Sequence, residues 1–200
     1  MNKKIKVTML TAALAMSVIG GAYSYYSGTA KQVQNNFNIV AGQANQIDNA
    51  GTVQEPNWNQ EKAKDLQPGQ TVKKDPKVTS NVDYESWVFM KVEVPTLTAQ
   101  KSGDTTDKVY DAVTFSKNSD WTEIKSTPST KAGTNSVYIY GYDTKLAAHG
   151  TTTTLFDSFT VQDFTKVAAG LTDSIDISAS LIQTTGNATL DAAAQALNLK

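Results

Sequence analysis

The chain has 200 residues, a net charge of −1 and no cysteine. All 18 basic residues are lysine, whereas bidentate readout of phosphates and bases favours arginine, which argues against a nucleic-acid partner. With no disulfides to staple it, the fold must rest on an ordinary hydrophobic core, and one domain of this length can bury one.

Lys3, Lys4 and Lys6 give the chain a positive start, and a short apolar run follows from Val7 to Ile19. Ala22-Tyr23-Ser24 then presents small residues at the −3 and −1 positions of a cleavage site. This layout predicts a secretory signal peptide over 1–24, cut between Ser24 and Tyr25. The apolar run is shorter than the roughly 20 residues that a membrane span needs. Three lysines leave with the signal, which takes the net charge from −1 to −4. No later segment is apolar enough to span a membrane. The processed chain is therefore expected outside the cell, in an extracellular matrix or at the cell surface. Export without disulfides fits a Gram-positive-type exporter.

Residues 25–42 form a second unit. The processed chain would begin Tyr25-Tyr26 and run into KQVQNNFNIVAG, in which Phe37 to Ala41 reads as a strand. Val33, Asn35, Phe37, Ile39 and Ala41 share one face at period two. A strand-like segment at a new N-terminus is a candidate for exchange between subunits.

Residues 43–200 read as one β-domain. Asn45 to Trp58 is irregular. Gln67-Pro68-Gly69-Gln70 predicts a type II turn, since Pro presets φ and Gly supplies φ > 0. Thr71 to Val78 is an edge or irregular strand because of Pro76. Glu85 to Val94 is the clearest strand: Val88, Met90, Val92 and Val94 form an apolar face, and Trp87, Phe89, Lys91 and Glu93 a mixed one. That mixture predicts a position near a sheet edge. Thr98 to Asp107 reads as a loop, and Tyr110 to Phe115 and Trp121 to Lys125 as short strands. Ser136 to Tyr142 alternates, with Tyr138, Tyr140 and Tyr142 on one side. This tyrosine row is better explained by sheet packing than by ligand stacking. Leu155 to Val161 predicts a strand, and Val161 to Gly170 a short helix ending at glycine. Ser174 to Ile182 alternates cleanly. Asn187 to Leu199 predicts a helix capped by Asn187 or Thr189, with Leu190, Ala193, Ala194 and Leu197 on one face. Many short strands between turn signals make an all-β sandwich or barrel.

Several segments together resemble a known family. GGAYSYYSG followed by NNFNIVAG, then LQPGQTVKKDPKVTSN, SWVFMKVEVP, TTTTLFDSFTV, and SASLIQTTG with LDAAAQAL occur in the order of the TasA/camelysin (CalY) proteins. These are exported Gram-positive proteins processed by a dedicated signal peptidase. The likeness spans most of the chain. Members often place an acidic residue where Gln43-Ala44-Asn45 follows Gly42, and many carry a Trp in the closing helix. Both features are missing here, which leaves the subfamily open. The resemblance implies a jelly-roll-like β-sandwich with short helical elements. It also implies assembly into biofilm matrix fibres, in which the N-terminal strand of one subunit completes the sheet of the next. The donor would be about Tyr25 to Ala41, anchored by Val33, Phe37, Ile39 and Ala41. Partners would be further copies of the chain or a related fibre protein. Two alternatives stay open: a secreted metalloendopeptidase of the camelysin type, and a minor adaptor that anchors or nucleates another fibre protein.

The residues give the peptidase little to work with, and no cofactor and no catalytic residue is assigned. A zinc peptidase usually takes two His and a carboxylate. His149 is the only histidine, in the loop-like Ala147-Ala148-His149-Gly150. The carboxylate neighbours Asp83/Glu85, Asp104/Asp107 and Asp173/Asp176 do not form a calcium-loop pattern and read as solvated loop charge. There is no G-x-S-x-G elbow.

Overall fold

Alternating, β-branched and aromatic-rich segments form the strands that carry this molecule. The computed structural model describes residues 27–33, 46–168 and 174–200. Ser24, Tyr25, Phe37, Ile39 and Ala41 lie outside the described residues. The strands are β1 (Ser27–Val33), β2 (Gln46–Gln54), β3 (Thr71–Lys73), β4 (Lys77–Ser80), β5 (Ser86–Lys101), β6 (Lys108–Asp111), β7 (Val113–Phe115), β8 (Trp121–Thr127), β9 (Asn135–Tyr142), β10 (Ser158–Val161), β11 (Phe164–Val167) and β12 (Asp176–Gln183). One helix, α1 (Leu190–Ala196), closes the chain.

Two curled sheets pack in a sandwich-like arrangement. The larger follows the path β4-β2-β1-β12-β5-β9-β8, and β6 and β11 pair with β5 off this path. The smaller is β3-β10-β7. The main core holds Val88, Met90, Val92 and Val94 of β5, with Ile177, Ala179 and Leu181 of β12. Phe115 and Phe156 stack at 4.4 Å within it.

β5 is the spine. Its Val88–Val94 face points into the main core, as alternation requires. Its other face explains the mixed pattern: Trp87 and Phe89 are buried with Ile182 under α1, against Ala193 and Ala194. The Trp87 indole N–H donates to the Asn187 carbonyl at 2.8 Å. Thr189 is the cap, its hydroxyl accepting from the Ala192 N–H at 3.1 Å. Leu190 lies over Gly141 so closely that a Cβ there would be 2.9 Å from Leu190 Cδ1. The sheet is thus covered on both faces around β5.

Six sequence expectations need correction. Asn45–Trp58, read as irregular, holds the nine-residue strand β2, and Tyr110–Phe115 is divided between β6 and β7 in different sheets. β5 is central, between β12 and β9, and not near an edge. It also runs on to Lys101, taking the first four residues of the expected Thr98–Asp107 loop. The Thr71–Val78 segment is two strands, β3 and β4, in different sheets and separated around Pro76. The helix expected over Val161 to Gly170 is a strand at Phe164–Val167, because the end of β5 offers a partner at Ala99–Lys101. The type II turn is present: Gly69 has φ 79°, and the Gln70 N–H donates to the Gln67 carbonyl at 3.0 Å.

The end of β2 is tied to the β3–β4 corner by charge. Lys74 Nζ lies 2.7 Å from Glu55 Oε1, with both side chains almost wholly buried. Trp58 packs over the same ammonium, 4.4 Å from its centroid. Asp75 accepts from the Asn57 N–H and Nδ2 at 2.8 and 2.7 Å.

Phe156 is fully buried and carries the aromatic stack of the core. Phe156→Ala is expected to cost about 3–5 kcal/mol through the cavity it leaves. Urea unfolding should show a lower midpoint at unchanged slope.

Candidate functional site

The site expectation rested on an N-terminal strand, and the described part of that region is β1. Its residues, SGTAKQV, are mostly small or polar, a poor β-palette in isolation. It forms a strand because it has a partner on each side. It runs antiparallel to β12, pairing Ser27 with Ile182, Gly28 with Leu181, Thr29 with Ser180 and Ala30 with Ala179. It runs parallel to β2, pairing Ser27 with Gln46 and Thr29 with Asp48. Parallel neighbours cannot be joined by a tight hairpin and need a connection of a dozen or more residues. Val33 ends the strand opposite Ile177.

The walls of this slot are fitted closely. Leu181 of β12 reaches beneath β1 toward β2, so that a Cβ on Gly51 would lie 2.8 Å from Leu181 Cδ1 and 3.1 Å from the Thr79 carbonyl. The strand between them carries its smallest residues here, with Gly28 opposite Leu181 and Ala30 opposite both Ala179 and Gly51.

Both walls are irregular. Between Thr29 and Ala30 the β2 partner jumps from Asp48 to Gly51, so Asn49 and Ala50 form a bulge. Asn49 takes the left-handed conformation, φ 63°. Asn81, just beyond β4, holds the bulge: its N–H donates to the Ala50 carbonyl at 2.9 Å, and its Nδ2 to the Asn49 carbonyl and Thr52 Oγ1 at 3.0 Å each. On the β12 side the register shifts between Ala30 and Val33.

The outer strands at the ends of the two sheet paths are blunted. β4 is covered by the Gly150–Thr152 segment, where the Thr152 N–H donates to the Val78 carbonyl and the Ser80 N–H to the Gly150 carbonyl. β8 carries Glu123 and Lys125 and a register shift between them. β3 and β7 are three residues each. These are the devices by which sheets avoid edge-to-edge pairing. The slot between β2 and β12, by contrast, is paired along both of its walls by β1.

The charged groups are organised as loop anchors. His149 sits in a turn at φ 56°, and its Nε2 lies 2.7 Å from Asp83 Oδ1 with both side chains exposed. Glu85 accepts from Thr184 Oγ1 at 3.0 Å and lies 3.6 Å from Lys145. Asp107 accepts from Lys166 and Gln100. Asp173 lies outside the described residues, and Asp176 accepts from Ser174 Oγ at 2.7 Å. Asp104 accepts from the Lys101 N–H, Lys108 and the Tyr110 hydroxyl. The backbone donor first, and then these two side chains, hold its carboxyl well below the usual carboxylate range. Tyr138 and Tyr140 belong to the core cluster, and burial, with Glu123 nearby, pushes the Tyr140 hydroxyl up to about 12. Among the described residues no group of three or more His, Cys, Asp or Glu side chains is placed to hold a metal ion. No helix among them is long and apolar enough to cross a membrane.

No family model, curated protein or solved structure matches the chain.

Gly51→Val is expected to cost about 1–3 kcal/mol, because the added carbons meet Leu181 and the Thr79 carbonyl. Chemical denaturation measures this directly. Asp104 has a depressed folded pKa, so its anchoring is complete above the unfolded value of about 3.9, weakens progressively below it and is gone only once pH falls through the depressed folded value. The protection factor of the Lys101 amide, which divides out the intrinsic fall of exchange with pH, should therefore drop on acidification in the wild type. In Asp104→Asn it should already be low at neutral pH.

Proposed function

We propose that this chain is an exported structural subunit of the TasA/camelysin type, assembling into extracellular matrix fibres by strand donation. On this reading β1 leaves the slot of its own subunit and enters the slot between β2 and β12 of the next. One observation carries the proposal. β1 begins three residues after Ser24, where the processed chain would start, yet it is an interior strand of the sheet and not an edge one. A near-terminal strand in that position can leave without unthreading the rest of the chain. A copy from a neighbouring subunit restores the same backbone bonds.

The symmetry of such an exchange favours fibres. Each subunit has one donor and one slot, and these are different surfaces. The contact is heterologous, and a heterologous contact that does not close into a ring propagates as a filament. The resemblance to exported fibre proteins points the same way.

The test compares the processed chain starting at Tyr25 with a form starting at Gln43, over a range of concentrations, by negative-stain microscopy. Fibres from the longer form alone are expected. Fibres from both forms would place the assembly contacts elsewhere. Fibres from neither would remove the structural-subunit reading and leave the adaptor role, which predicts co-purification with another fibre protein.

A further inference from the structure

In a flat sheet the two strands on either side of a third stand roughly 9–10 Å apart, twice the spacing of neighbours, which is beyond the reach of a leucine side chain. Leu181 and Gly51 lie on the two walls of the slot with β1 between them. Leu181 Cδ1 nevertheless stands 2.8 Å from where a Cβ on Gly51 would be. The sheet is therefore curled about β1, and the walls meet on its concave side. That side is the core: Ile177, Ala179 and Leu181 of β12 and Val53 of β2 are all buried in the main cluster. The register puts two positions of the strand in the slot on this side. Residue 28 is opposite Leu181, and residue 30 is opposite both Ala179 and Gly51. Directly opposed residues share a face, as do residues two apart.

We propose that the slot selects its strand by size: it admits glycine or alanine at these two core-side positions and turns larger side chains away, with Leu181 and Gly51 setting the limit. The space beneath the two positions is already filled. Leu181 spans it from the β12 side. Backbone and side chain close it from the β2 side, the Thr79 carbonyl and Val78 Cγ1 lying 3.1 and 3.2 Å from the same Cβ position on Gly51. An interior this dense takes added carbons only by shifting. The chain's own strand meets the limit, with glycine at 28 and alanine at 30. The outer face sets no such limit, since Ser178 and Ser180 of β12 are half-buried and Thr52 of β2 is exposed. The partner so defined is a strand with small residues at alternate positions on one face, and a second copy of this chain supplies one. Strands with alternating large apolar residues, the usual occupants of sheets, are refused, which is specificity by exclusion. For a strand from another copy this rests on the strand-donation reading; for the chain's own strand it stands without it.

The test uses the chain starting at Tyr25 and three changes: Ala30→Leu on the core side, Thr29→Leu on the outer side, and Leu181→Ala, alone and with Ala30→Leu. Hydrogen exchange read by mass spectrometry, at concentrations too low for assembly, follows the β1 amides themselves. It registers the loss whether the strand is ejected or the whole sheet loosens. Ala30→Leu should lower their protection about ten-fold or more, the effect of overpacking. Thr29→Leu should change it by no more than about two-fold, as an outer-face substitution does. With Leu181→Ala in place, adding Ala30→Leu should cost far less, because the new side chain takes the space that Leu181 vacates. If Leu181→Ala does not fold, Leu181→Val gives the same comparison, and Ala30→Val replaces Ala30→Leu on the same ground. Equal effects of Ala30→Leu and Thr29→Leu overturn the proposal, as does a penalty for Ala30→Leu that is unchanged once Leu181 is cut back. Pelleting at high concentration separates the two ideas. Fibres from the parent and Thr29→Leu but not from Ala30→Leu would support both. No fibres from any form, with the protection losses as expected, would remove strand donation and leave the size limit standing.

Discussion

The structure depends on the backbone hydrogen bonding of β1. This strand joins β2 and β4 on one side to β12, β5, β9 and β8 on the other. Taken away, it leaves two facing edges in the interior of a sheet. Each orphaned N–H or C=O that stays dry would cost about 1–3 kcal/mol, far more than the net gain from making one bond. Leu181 bridges to Gly51 beneath β1, but it offers only side-chain contact and no replacement for the ladder. The slot therefore demands a strand, and its backbone chemistry is indifferent to which chain supplies it.

The rest of the molecule is arranged so that this demand is met in one place. β5 is covered on both faces, by the main core and by α1. The outer strands are short, bulged, charged or capped by Thr151 and Thr152. Ion contacts fix the loops between them, among them the buried Lys74–Glu55 pair. Such a pair is weak evidence for stability, because desolvation offsets the attraction. What it does is hold the end of β2 against the β3–β4 corner, close to the wall of the slot.

Much of this was legible in the sequence, and the failures share a cause. Period-two alternation located the core strand at Val88–Val94 and the strands that became β9 and β12. Helical spacing and a threonine cap located α1. Each signal arises within a few neighbouring residues, so it survives without knowledge of the fold. The extension of β5 past Pro95 did not show, because proline ordinarily ends a strand. Here Pro95 lies at the handover between neighbours, opposite Asn135 of β9 while Thr96 faces Asp111 of β6. β11 read as helix because its partner is some sixty residues away along the chain. β1 itself has almost no local strand signal. The apolar Phe37–Ala41 segment drew attention to this region, and the described strand precedes it. Pairing on both sides outweighs the weak propensity of SGTAKQV, and propensity scales cannot register a slot made by distant segments.

A strand held by its own subunit competes with exchange. β1 and β2 belong to one chain, and an intramolecular strand competes at an effective concentration of order millimolar. Under the proposed strand donation, a neighbouring copy would win only when protein is concentrated, or when the strand is delivered before it has folded back. The small residues of β1 matter to this balance. A strand bearing large apolar side chains would be locked in by burial, at about 1.5–3 kcal/mol for each one. Gly28 and Ala30 have little side chain to bury, and the backbone bonds of β1 are ones that a second copy would reproduce. The composition that makes β1 hard to recognise as a strand is thus the composition that the proposed strand donation would require, since it leaves the backbone bonds as the chief contact to be exchanged.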